Sequence, residues 1–209
     1  MRPWPRVWTY TFLSALIFAS CSSHGLAQTN SDAAKSEAQK PDAERDGQHD
    51  FDWAIGSWKI HLKRLLHPLT GSHEWAEFDG TVVCRKVWDG RAEMEEFNVD
   101  SPETHMHIQG LALRLYNPAS RQWTIYWANA AKGTLDFPPV VGQFSNGRGE
   151  FYDQELHEGR ALFARYVWTD VTGSSPHFEF QYSADGGKTW ESNWITDQTR
   201  IEADSDKTH

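Results

Sequence analysis

From residue 51 onward, large apolar side chains recur at nearly every second position, the period of strands with one face turned to a core. In "HIQGLALRLYNP" the set His107, Gln109, Leu111, Leu113 and Leu115 shares one face. Trp123, Ile125 and Trp127 do so in "QWTIYWAN", Phe178, Phe180 and Tyr182 in "HFEFQYS", and Trp190 and Trp194 in "TWESNW". Turn chemistry separates the runs, in "VWDGR", "YNPASRQ", "SNGRG", "LHEGR" and "ADGGK". No later stretch carries a helical period over a helical length. The pattern predicts an all-β, antiparallel meander of about eight to ten strands. Hairpin-length connections favour sequential pairing and closure removes unpaired edges, so an up-and-down β-barrel is expected.

The chain ahead of this pattern is of another kind. Arg2 and Arg6 precede the apolar "VWTYTFLSALIFAS", which is too short to span a bilayer and stay there, so residues 1–27 read as an export signal. Two cleavage patterns compete. "FASC" resembles a bacterial lipobox and would leave Cys21 lipidated at the new N-terminus; "GLAQ" suits a cut before Gln28. Either way the mature protein is expected outside the cytoplasm, periplasmic or secreted, with membrane contact only through a lipid on Cys21. Residues 28–48 hold no apolar side chain larger than alanine and predict a flexible tether. The barrel is then expected over 49–203, with a disordered tail at 204–209.

Composition narrows the partners. A formal net charge of −9 argues against nucleic acid, whose phosphates require a surplus of Lys and Arg. Nine of the 11 tryptophans follow residue 50, so this part of the chain buries a real core. With Cys21 acylated or removed, Cys84 has no partner, and no disulfide framework exists. In the strand-like "GTVVCRKVW", Cys84 reads as a small apolar residue rather than a nucleophile.

"FDWAIGSWKI", residues 51–60, opens the barrel segment, and its Gly56-x-Trp58 resembles the lipocalin and calycin signature. The resemblance implies that Trp58 plugs one end of the barrel and that Arg200, in "DQTRI", covers it through a cation–π contact. The order of three motifs, Phe51 to Trp58, Tyr116 to Trp123 and Ser183 to Trp190, resembles the DUF1579-like set of bacterial exported proteins. That set implies a lipocalin-like barrel over roughly residues 50–201 and supplies no reaction.

Several motifs invite chemistry. "SADGGKTW" matches the Asp-box of sialidase blades, but a propeller needs several copies; here Asp185 is expected to accept turn N–H groups while Trp190 folds back on the hairpin. "HMH", residues 105–107, puts two imidazoles on one strand face, yet lacks the further residues of a cupin and any third ligand at metal spacing. Haem ligation through His107 is a variant of the same idea. Glu93, Glu95 and Glu96 read as a solvated strand face, and Arg114 and Tyr116, opposite the leucines, as outward-facing. No catalytic constellation and no metal site emerge, and the cofactor is unknown.

The expected function is therefore an exported barrel that binds a small apolar or amphipathic molecule. His107, Gln109, Trp127, Arg165 and Tyr182 are the candidate pocket residues, with Trp58 and Arg200 closing the far end. Two alternatives stay open: a barrel enzyme (isomerase, lyase or hydrolase) using the same cavity, and an envelope interaction protein whose barrel is filled by its own side chains.

Overall fold

The computed structural model describes residues 45–202. Eleven strands run in chain order: β1 Gly56–Leu65, β2 Trp75–Val87, β3 Ala92–Asp100, β4 His107–Asn117, β5 Gln122–Asn129, β6 Thr134–Leu135, β7 Val140–Ser145, β8 Arg148–His157, β9 Arg160–Thr169, β10 His177–Ser183 and β11 Glu191–Arg200. All pairings are antiparallel. The sheet order β4-β3-β2-β1-β11-β10-β9-β8-β7-β5 is closed by β4 against β5, and the two-residue β6 hangs on the edge of β5. The protein is a closed, ten-stranded, lipocalin-like up-and-down barrel, as its sequence pattern predicts. The signal, the lipobox with Cys21, tether residues 28–44 and the tail lie outside the described residues.

One end of the barrel is stoppered by the segment preceding β1. Phe51 is fully buried and its ring meets Trp123, Phe144, Phe151 and Trp168 at centroid distances of 5.1–5.6 Å. Upstream of it, the Trp123 Nε1–H donates to the Gly47 carbonyl at 2.9 Å and the Tyr116 hydroxyl donates to Asp46 at 2.6 Å. Residues 45–48 were expected in the tether and instead pack on the domain, because the Gly47 carbonyl and the Asp46 carboxylate satisfy the polar tips of Trp123 and Tyr116. Trp58, 1 % exposed, donates from Nε1 to the Ala54 carbonyl at 2.8 Å. The Arg200 guanidinium lies 4.1 Å from the Trp58 ring centroid and donates to the carbonyls of Trp53, Ile55 and Gly173 at 2.5, 2.8 and 2.6 Å. The contact between Arg200 and Trp58 that the Gly-x-Trp resemblance implies is present.

Strand β4 corrects the expected facing. Ile108, Gly110, Ala112, Arg114 and Tyr116 are the buried set, while His107, Gln109, Leu111, Leu113 and Leu115 look outward. The reason is volume. A Cβ added to Gly110 would stand 2.2 Å from the Trp127 ring, so the neighbouring strand's indole already fills the space inside β4. Small residues must face in, and the leucines go to the outer surface, where Leu113 pairs with Met94 and Tyr126. Since side chains alternate, one such exchange turns over the whole strand.

A second correction concerns Trp190 and Trp194. A bulge shifts the β10–β11 register between Phe180 and Gln181, leaving Asn193 as the extra residue. Trp194 stays inside beside Phe97, whereas Trp190 stacks outside on Arg165 at 4.1 Å. The "SADGGKTW" turn behaves as expected: Asp185 accepts the backbone N–H groups of Lys188 and Thr189 at 3.0 and 2.9 Å, and Trp190 donates back to the Gly187 carbonyl at 3.1 Å.

Arg200→Lys should lower thermal stability by about 2 kcal/mol, because an ammonium cannot serve three carbonyls and an indole face together. Denaturant titration measures this, and an unchanged midpoint would show the clamp to be incidental. Gly110→Val should expel Trp127 from its place and alter near-ultraviolet dichroism, with a loss on the order of 3 kcal/mol.

Candidate functional site

Two groups of polar side chains face the interior, and they differ in access. The first lies in the stoppered half. Arg114 from β4 reaches Glu95 at 2.6 Å and Glu93 at 3.5 Å, both on β3, and its Nη1 stands 3.6 Å from the Cys84 sulfur on β2. Its guanidinium also lies 4.7 Å from the Phe51 ring centroid. Glu93 is 0 % exposed and Arg114 3 %. The expectation of a solvated acidic face thus holds for Glu96, which pairs outside with Arg85 at 2.8 Å, and fails for Glu93 and Glu95. It fails equally for Arg114 and Tyr116, which point in.

One guanidinium beside two carboxylates leaves the group a charge out of balance. Burial pushes the Glu93 carboxyl up to about 7 against the pull of Arg114, with Glu95 repelling it further. Burial likewise pushes the Cys84 thiol up to about 12, which excludes a thiolate nucleophile at neutral pH. Water and substrate have no surface of Glu93 to reach, so the group braces the fold.

The second group lies toward the other end, against the wall made by β5 and β8–β11. Here inward side chains keep partial exposure, which a packed interior would deny them: Trp127, Tyr166, Phe180, Tyr182 and Trp194 are all half-buried. The rings form two runs, Trp127 to Trp194 at 6.4 Å and Tyr166 to Phe180 to Tyr182 at 5.0 and 4.8 Å, and β-pairing sets Phe180 opposite Trp194. The opposite wall, with Leu62, Phe78, Val99 and Ile108, is tightly buried. At the rim a recess of about 340 Å³ reaches Tyr182 between Leu69, Gly71 and the 184–191 turn. A recess of about 440 Å³ at the stoppered end lies outside the Phe51 plug, around Arg45, His49 and Asp50.

Two carboxylates share the aromatic wall. Asp153 and Glu155 alternate inward along β8. Glu155 accepts the Tyr182 hydroxyl at 3.0 Å, and burial raises its pKa. Asp153 has a buried Oδ1 with no hydrogen-bond partner; burial, reinforced by the charge of Glu155, pushes its carboxyl up to about 7. Burial and these same charges hold the Tyr166 and Tyr182 hydroxyls firmly protonated.

Of the five pocket residues expected from sequence, Trp127 and Tyr182 face this interior. His107 is on the outer rim, 2.8 Å from Asp100, and Gln109 is exposed beside it. Arg165 faces outward, hydrogen-bonded to Gln181 at 2.6 Å and stacked on Trp190. His107 and Gln109 follow the reversal of β4; Arg165 does share a face with Phe163 and Val167, but that face is the outer one. Asp153, Glu155, Phe180 and Trp194 complete the wall. "FYDQELH" hides its two acids because both of its faces mix polar and apolar residues. Among the described residues no cluster of metal-ligating side chains is present.

No protein-family model matches the chain, and no curated protein matches it. Among solved structures it is similar to an S-type phycobiliprotein lyase, CPES, from Guillardia theta, at 11 % identity and a TM-score of 0.54, over 78 % of this chain and 96 % of that one. At this identity the likeness establishes the barrel fold.

Folding takes up a proton at Glu93 between its unfolded value near 4.5 and its folded value of about 7. Stability from this group is present at low pH and is lost as pH rises through that window. The melting temperature should therefore fall between pH 5 and pH 8. Glu93→Gln should flatten the fall and gain about 2 kcal/mol at the alkaline end. Parallel curves for the two proteins would show that Glu93 is ionised throughout.

Proposed function

We propose that this protein is an exported barrel that binds a small apolar or amphipathic molecule in the half not filled by its own side chains. The observation that carries this reading is the wall of inward, half-exposed aromatics around Trp127, Trp194 and Tyr182. A concave, largely apolar lining with a few polar groups is the usual makeup of a ligand site. The stoppered half is packed solid, which limits the ligand to the other end. Export rests on Arg2, Arg6 and the apolar run behind them, and a lipid at Cys21 would tether the barrel to the bacterial envelope. The same motif order supports grouping the chain with the DUF1579-like exported barrels. The likeness to a phycobiliprotein lyase supports the architecture and leaves the ligand open.

Native mass spectrometry with an absorbance scan, on protein from a periplasmic extract, should find a retained small molecule that organic solvent removes. Protein that is empty and also fails to take up a fluorescent apolar probe would overturn the reading. Trp127→Ala, with the fold verified by circular dichroism, should weaken probe binding about tenfold, the loss of one large aromatic contact.

A further inference from the structure

The unpaired acid inside the aromatic wall says more about the ligand, provided that the barrel binds one. Asp153 Oδ1 is buried and lacks any hydrogen-bond partner, and neither Asp153 nor Glu155 forms an ion pair among the described residues. The buried inward carboxylates elsewhere each have a guanidinium beside them: Glu95 and Glu93 have Arg114, although Glu93 Oε1 is also without a hydrogen-bond partner, and Asp50 has Arg45. The cations whose charge acts on Glu155 are His157 and Lys132, and Lys132 is held by Asp136 at 3.2 Å. A polar atom removed from water with nothing in its place costs on the order of 1–3 kcal/mol, a cost that a ligand group would relieve. What flanks it is aromatic. Tyr166 feels the charges of both acids, and Tyr182 donates to Glu155 and packs on Phe180. Ring faces beside carboxylates attract a cation and repel an anion.

We propose that the ligand carries a cationic nitrogen, held by Asp153 and Glu155 against the rings of Tyr166 and Tyr182, with its apolar body lying toward Trp194 and Trp127. The ligand class is thus an amphipathic amine or ammonium compound. An N–H donor would complete the hydrogen bonding of Asp153 Oδ1. A fatty carboxylate would meet two like charges. Of the inward-facing guanidiniums, Arg114 is already taken by Glu93 and Glu95, and Arg64, which β-pairing sets opposite Trp194, is exposed near the end of β1.

Decylamine, decanol and decanoic acid share one apolar chain and differ in headgroup, so titrating each into the whole protein, followed by tryptophan fluorescence, separates the two levels of the reading. Decylamine should bind at least about tenfold more tightly than decanol, with decanoic acid weakest. Asp153→Asn, nearly isosteric, should abolish the preference, so that decylamine binds that variant no more tightly than decanol does; Glu155→Gln gives the same readout if the first variant does not fold. Equal affinity for all three, or preference for the acid, overturns the cationic assignment and leaves the binding barrel standing. No binding of any probe overturns both.

Discussion

The burial of Phe51 is the interaction on which the rest of this barrel depends. A closed sheet of ten strands encloses more volume than its own inward residues near one end can fill, and an apolar void would cost stability in proportion to its size. The chain resolves this by sending in a segment that is not part of the sheet. Phe51 enters among four other rings, and the polar tips around it are satisfied by the same segment: Gly47 and Ala54 take the indole N–H groups of Trp123 and Trp58, and Asp46 takes the Tyr116 hydroxyl. Arg200 then ties that segment to the last strand. The strands and their stopper hold each other in place, so the barrel has one sealed end and one end whose contents are free to differ.

Sealing one end also explains how charge is tolerated inside. Arg114 sits over Phe51 and between two glutamates, where its guanidinium gains ring contact as well as ion pairs. Such a group specifies the packing more than it stabilises it, since desolvating three ionisable side chains offsets most of what their attraction returns. The excess negative charge is absorbed by the raised pKa of Glu93. Burial and Glu155 raise the Asp153 carboxyl to about 7 as well, but its neighbours are rings and another acid, and no guanidinium stands beside it as Arg114 stands beside Glu93.

Much of this was legible in the sequence, and the failures have definite causes. Strand period and turn chemistry carry the barrel because they are local. Trp58 and Arg200 were legible because their contact lies between the two ends of one motif-bearing sheet, where a glycine two residues before the tryptophan marks the position. The facing of β4 was not legible: three leucines on one side outweigh Gly110 and Ala112 by any hydrophobic count, yet Trp127 on the adjacent strand has already taken the interior. The bulge at Asn193 had no sequence signal, and it alone separates the fates of Trp190 and Trp194. Asp153 and Glu155 were missed for a related reason, since an acid beside apolar residues looks like a solvated face until closure decides which way it points.

These errors share a direction that bears on function. Inside a small barrel, inward volume is shared around the whole circumference, so the residue that faces in at one position depends on how large its neighbours are on strands far away in sequence. The small pair Gly110 and Ala112 on β4 is therefore the counterpart of large rings on β5 and β11, and the half-exposed rings of β9–β11 mark where that shared filling stops. At that end a recess reaches Tyr182, and Asp153 and Glu155 lie on the same inward face of the sheet. A site defined in this way is read from the balance of volumes and charges across all ten strands, and no single motif along the chain announces it.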